Sequence, residues 1–89
     1  MIEKTIVITN KLGLHARPSA KVVQTATQFK SEISLCKGTM TINAKSMLGV
    51  MALAAEFGSE LVLKVEGEDE EEAARELVQL FRDKFKDVY

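Results

Sequence analysis

The opening stretch Ile2-Glu3-Lys4-Thr5-Ile6-Val7-Ile8-Thr9 is β-branched and places Ile2, Ile6 and Ile8 on one side, which predicts a strand. Asn10 to Leu14, with Gly13, reads as a loop. From Ala16 the spacing becomes helical, with Ala16, Ala20 and Val23 on one face, flanked by Val22, Ala26 and Phe29. Pro18 is tolerated only in a first helical turn, so His15 falls at the helix N-terminus. Ile33 and Leu35 alternate with Ser34 and Cys36. Lys37-Gly38-Thr39 turns the chain, and Met40, Ile42 and Ala44 alternate again, predicting a hairpin. Ser46 opens an apolar helix expected to end near Phe57, with Gly58 after its C-terminus. Leu61, Leu63 and Val65 predict a fourth strand, closed by Gly67. Asp69 and Glu72 have capping-box spacing. Ala74, Leu77, Val78, Phe81 and Phe85 then form one apolar stripe, with Arg82, Lys84 and Lys86 suited to the negative end of that helix.

The order is therefore β-α-β-β-α-β-α. Each strand has one apolar face and each long helix one apolar stripe. Helices packed on one side of an antiparallel sheet satisfy both, an α+β architecture. With 89 residues the expectation is one domain, 1–89. Apolar residues at 46% and charged residues at 28% describe an ordinary folded chain rather than a disordered one. No apolar run approaches the roughly 18 residues of a membrane span, and the N-terminus lacks a signal peptide's basic-then-apolar order. A single cysteine, Cys36, excludes an internal disulfide and reads as a small buried or edge residue. With a single histidine it leaves no zinc site, so no metal is expected and the expected compartment is a reducing cytoplasm. The net charge of −1 conceals a division, with residues 1–45 at +5 and residues 46–89 at −6. Such asymmetry marks either a surface for charged partners or simply a solvated acidic helix start.

Chemistry concentrates in Gly13-Leu14-His15-Ala16-Arg17-Pro18. A helix start presents unpaired N–H groups and a positive dipole end, which together favour an anion. An imidazole there offers a nucleophilic ring nitrogen beside that anion site. A phosphoryl group on the ring would meet the same N–H groups and Arg17, while Pro18 stiffens the backbone beneath them. The plain alternative is a surface histidine beside a helix cap, with Arg17 as a solubilising charge. The residues alone leave both open.

The segment from Ser46 to Phe57 carries no polar side chain besides Ser46 and Glu56. A domain this small does not readily bury both faces of such a helix. Val50, Leu53 and Phe57 are assigned to the core, and Met47, Leu48 and Met51 to docking, where methionine adapts to differently shaped partners. A tightly packed core helix is the alternative. Ser46 reads as an N-cap and, because phosphate is favoured at a helix N-terminus, also as a phosphorylation site.

At these residues the chain resembles the histidine-containing phosphocarrier (HPr) family of the bacterial sugar phosphotransferase system. Gly13-Leu14-His15-Ala16-Arg17-Pro18 is similar to the family's active-site motif, and Ala44-Lys45-Ser46-Met47-Leu48-Gly49-Val50-Met51 to its regulatory serine segment. The resemblance covers essentially the whole chain. It implies an open-faced β-sandwich, a four-stranded antiparallel sheet covered on one side by three helices. It also implies a carrier, not an enzyme, needing no cofactor: Enzyme I would pass a phosphoryl group from phosphoenolpyruvate to Nδ1 of His15, which would donate it to IIA units of sugar permeases. Arg17 would neutralise the phosphate, with Ala16 and Pro18 as the helix-start frame. Lys21, Gln24, Met47, Leu48 and Met51 would dock partners. An HPr kinase/phosphorylase would modify Ser46 and weaken transfer. The expected protein is a monomer, with no nucleic-acid partner and no membrane insertion.

Asn10-Lys11-Leu12-Gly13 has leucine where many relatives carry a small polar residue, and in this it looks like the nitrogen-branch paralogues, which feed a regulatory phosphorelay. The serine segment favours the carbon branch. An alternative of another class is an effector-binding or protein-interaction module of ferredoxin-like topology. An RNA-binding version would need aromatics on its strands and a basic surface; the predicted strands hold none and the pI is about 5.8. The effector and interaction versions leave the His15–Arg17–Pro18 arrangement unexplained.

Overall fold

The computed structural model describes residues 1–83 and 85. The elements are β1 (Ile2–Val7), α1 (Ala16–Ala26), β2 (Glu32–Lys37), β3 (Met40–Asn43), α2 (Met47–Ala52), β4 (Glu60–Glu66) and α3 (Glu70–Arg82). The strands form one antiparallel sheet in the order β1-β4-β2-β3, covered on one side by the helices. β1 lies at an edge, whereas a ferredoxin-like module holds its first strand inside the sheet, so that alternative topology is not observed.

Register explains the layering. Ile2, Val65 and Ile33 align across the sheet, as do Leu63, Leu35 and Ile42, and this face meets the helices. Leu61, Leu63, Val65 and Leu35 are fully buried, each stabilising the fold by about 1.5–3 kcal/mol relative to exposure. The row Thr5, Val62, Cys36 and Thr41 lies on the opposite, open face, where Thr41 Oγ1 donates to the half-buried Cys36 Sγ at 3.3 Å.

Four expectations need correction. The first strand stops at Val7 rather than Thr9, although Ile8 is buried and still bonds the backbone of Gly58 and Ser59. The buried face of α1 is Pro18, Ser19, Val22 and Ala26, not Ala16, Ala20 and Val23. Ala16 is exposed and the other two are partly buried. Ser19 enters the core because its hydroxyl donates to the Leu14 carbonyl, 3.1 Å away, which satisfies a group that apolar periodicity would keep outside.

The second helix ends at Ala52 instead of near Phe57. Lys37 Nζ donates to the Leu53 and Ala54 carbonyls at 3.1 and 3.2 Å, Ala54 turns to φ 48°, and Ala55 bonds the loop ahead of α1. Those partners replace a further helical turn, and Phe57 is left 63% exposed instead of in the core. Finally, no Asp69–Glu72 capping box forms. The Asp69 carboxylate accepts from the N–H groups of Lys30 and Ser31, both at 2.9 Å, and from the Ser31 hydroxyl. Glu70 turns back to the Gly67 N–H at 3.0 Å instead. These bonds hold the Asp69 carboxyl down to about 2, chiefly through Ser31. They also draw Gly67 against Ser31, whose Cα would lie 2.7 Å from any Cβ there. The Lys84 and Lys86 expectation lies outside the described residues.

Candidate functional site

The loop before α1 is built by its own polar groups. Asn10, itself buried, donates from Nδ2 to the Gly13 carbonyl at 2.7 Å, while the Gly13 N–H returns to the Asn10 carbonyl at 3.1 Å. Gly13 sits at φ +69°, and a Cβ there would strike the Ala55 carbonyl and lie 2.9 Å from Glu56 Cα. The Leu14 N–H donates to that Ala55 carbonyl at 2.8 Å, fastening the loop to the chain leaving α2. Ser19 reaches back to the Leu14 carbonyl from one turn further on.

His15 therefore occupies the N-cap of α1 in a tightly determined backbone, at φ −82° and ψ −169°. Its carbonyl accepts the first helical bond, from Ser19 N–H at 3.0 Å, but its side chain does not cap the helix. The ring is half-buried, with Nε2 shielded from solvent. Pro18 is buried and has no N–H, so the amides of Ala16 and Arg17 are the donors at the helix start. Arg17 is exposed. An imidazole and two backbone donors thus meet at one positive dipole end, with the exposed Arg17 in the first turn of the same helix. The arrangement suits a phosphoryl group carried on the ring.

The start of α2 is arranged differently. Ser46 is its N-cap, and Oγ accepts from the Gly49 N–H at 3.0 Å. Val50 is fully buried and Leu53 nearly so, whereas Met47, Met51 and above all Leu48 (84%) are exposed. The helix is therefore turned as its sequence predicted, Phe57 apart. Lys21 and Gln24, both exposed, line a groove between α1 and α3 beside Glu76 and Asp83. The polar and apolar members of the expected docking group thus lie on different helices, α1 and α2. Lys37 is engaged by carbonyls, and so is Lys45, whose Nζ donates to Phe29 O at 2.7 Å.

Sequence reasoning missed Asn10 and Ser19 as the frame beneath His15; a polar residue on an otherwise apolar helix face was the available signal for Ser19. Leu12, read from the sequence as a departure from the family pattern, is a large exposed apolar side chain on the loop before His15. Among the described residues, no cluster of His, Cys, Asp or Glu could hold a metal ion, and no helix is long and apolar enough to cross a membrane.

Residues 2–83 match the family described as PTS-HPr, PTS HPr component phosphorylation site. The chain is 49% identical over 87 residues to the phosphocarrier protein HPr of Treponema pallidum, covering 98% of this chain and 99% of that one. Its structure superposes on HPr-C-His from Thermoanaerobacter tengcongensis with a TM-score of 0.95 at 48% identity, over 100% of both chains. It also matches an HPr dimer from the same organism, with a TM-score of 0.77 at 50% identity over 96% of this chain and 98% of that one. The chain therefore belongs to the HPr family of the phosphotransferase system, whose members carry phosphoryl groups rather than catalyse their transfer.

Proposed function

We propose that His15 is the phosphoryl acceptor and donor of this carrier, through Nδ1. The lone pair of Nδ1 attacks the phosphorus presented by Enzyme I, the bond from phosphorus to its donor breaks as the Nδ1–P bond forms, and the reverse exchange delivers the group to a IIA unit. Arg17 and the amides of Ala16 and Arg17 hold the phosphoryl oxygens, and Pro18 keeps the turn beneath them rigid. The observation that carries this reading is the imidazole at the N-cap of α1, on a backbone that Asn10, Gly13 and Ser19 fix around it. The shielding of Nε2 supports Nδ1 as the reacting atom.

The exposed Met47, Leu48 and Met51, with Lys21 and Gln24, form the docking surface for Enzyme I and IIA in this reading. Ser46 is the regulatory site for an HPr kinase/phosphorylase. The chain acts as a single domain in the cytoplasm, on the carbon branch, and as a monomer. Light scattering over a range of concentrations tests the monomer against a dimer like that of the T. tengcongensis relative.

Incubation with phosphoenolpyruvate and Enzyme I, followed by intact mass, should show one acid-labile phosphoryl group. His15→Ala should fold normally and take up none; retained transfer through another residue would end the reading. Arg17→Ala should fold equally well and transfer about tenfold to a hundredfold more slowly, the worth of one charge-assisted contact felt at the transition state. An unchanged rate would leave Arg17 as a solubilising charge.

A further inference from the structure

Among the described residues the edge of β1 away from β4 carries no strand, and it meets α3 in a groove of about 500 Å³, walled by Ile2, Lys4, Glu71, Arg75, Val78 and Arg82 among others. This groove runs into a second hollow of about 270 Å³ that shares Lys4, Val78 and Arg82 and follows β1 through Thr5 and Val7. None of the residues lining either belongs to α1 or α2.

Two features of this seam indicate what it takes. The first is backbone. Ile8 donates to the Ser59 carbonyl at 2.9 Å and accepts from the Gly58 N–H at 2.8 Å. Hydrogen-bonding direction alternates along an antiparallel strand, so Lys4 and Ile6 also turn toward β4, while Glu3, Thr5 and Val7 turn their N–H and C=O groups to the open edge. A row of bare edge groups is a template for one more strand.

The second feature is charge. Lys4 pairs in register with the fully buried Leu63, which places it on the helix-facing side of the sheet. Arg75 and Arg82 stand two turns apart on α3, about 10.5 Å along its axis. Among the described residues none of these three cations makes a salt bridge, and Glu71 is the one carboxylate lining the seam. An extended chain sets every second side chain on one face, about 7 Å apart, so acidic residues two or four apart can reach these cations.

We propose that the β1–α3 groove binds an extended acidic peptide segment of another protein, added as a strand to the open edge of β1 with its carboxylates on Lys4, Arg75 and Arg82. Because the groove lies outside α1 and α2, such a segment can hold a partner while His15 is engaged.

The test titrates the isotope-labelled full chain, followed by amide NMR, with a short peptide alternating Glu and Val. A control peptide has Lys in place of every Glu. The acidic peptide should shift resonances of β1 and of the Arg75–Arg82 side of α3, and should protect the Thr5 and Val7 amides from exchange. Affinity should fall on the order of tenfold in the Arg75→Gln/Arg82→Gln double variant and weaken with salt. That variant should melt normally and accept phosphate on His15 at the unaltered rate, which separates this inference from the carrier reading. Equal binding of the Lys peptide, shifts confined to α1 and α2, no response, or affinity untouched in the double variant would overturn the proposal. So would groove shifts that follow protein concentration instead of peptide, since these would assign the edge to a second copy of the chain.

Discussion

The starts of α1 and α2 are both N-caps, yet they use their capping residues in opposite ways. At α2 the Ser46 side chain is the cap, accepting from the Gly49 amide. At α1 the His15 side chain is left out of capping, and the loop geometry is held by Asn10, Gly13 and Ser19 instead. A short polar side chain can stabilise a helix and still receive a modification. The Ser46 hydroxyl is thus part of its own helix's hydrogen bonding, whereas the backbone around His15 is held by its neighbours. The start of α3 is a third variant: Asp69 lends its carboxylate to Lys30 and Ser31, joining α3 to the segment between α1 and β2.

The comparison is broken most strongly at the faces of α2. Val50→Asp should destabilise the fold by about 3–5 kcal/mol, because it leaves an unpaired charge in the core. Met51→Asp, on the exposed face, should melt almost normally while Enzyme I and IIA binding weakens. Paired thermal melts and titrations check this, and the opposite pattern would mean that Met51 packs inward.

Gly13→Ala attacks the frame of His15 without touching it. Left-handed backbone strain costs about 1–3 kcal/mol and the overlap with the Ala55 carbonyl adds a similar amount. The variant should melt lower and transfer more slowly even at temperatures where it is folded. Normal transfer at full folding would show that the frame is dispensable.

Ser46→Ala removes a true cap and should cost about 1 kcal/mol by denaturant titration. Phosphorylated Ser46 should keep or slightly raise stability while slowing His15 phosphorylation, and added salt should relieve the inhibition. A large fall in melting temperature would replace this electrostatic account with a structural one.

The smallest expected effect lies at Asp69. Its carboxyl is held at about 2 in the folded chain against an ordinary 3.8, so its contribution is present above about pH 4 and is lost as pH falls toward 2. Asp69→Asn should melt slightly lower near neutrality and lose less stability across that acid window. A variant as acid-sensitive as the parent would place the acid transition elsewhere.

Element order, the hairpin, the one-sided sheet and the His15 and Ser46 helix starts were legible along the chain, because each rests on local chemistry: a period of two, a period of 3.6, a proline confined to a first turn. The turning of α2 was legible too, since Val50 and Leu53 are spaced for one face. What the line of residues did not show were the choices made by groups far apart in the chain. Lys37 stops α2 early and Phe57 is left in solvent. Asp69 passes over its own helix for Lys30 and Ser31. Ser19 is buried against the Leu14 carbonyl of a loop that the Ala55 carbonyl, far along the chain, fastens in place. The frame of His15 depends on residue 55, some forty positions away. Periodicity ranks residues by what they bury, whereas a hydrogen bond between distant segments exists only once the sheet and helices have brought donor and acceptor together. The ends of helices and the setting of the His15 imidazole are decided there, in the tertiary structure.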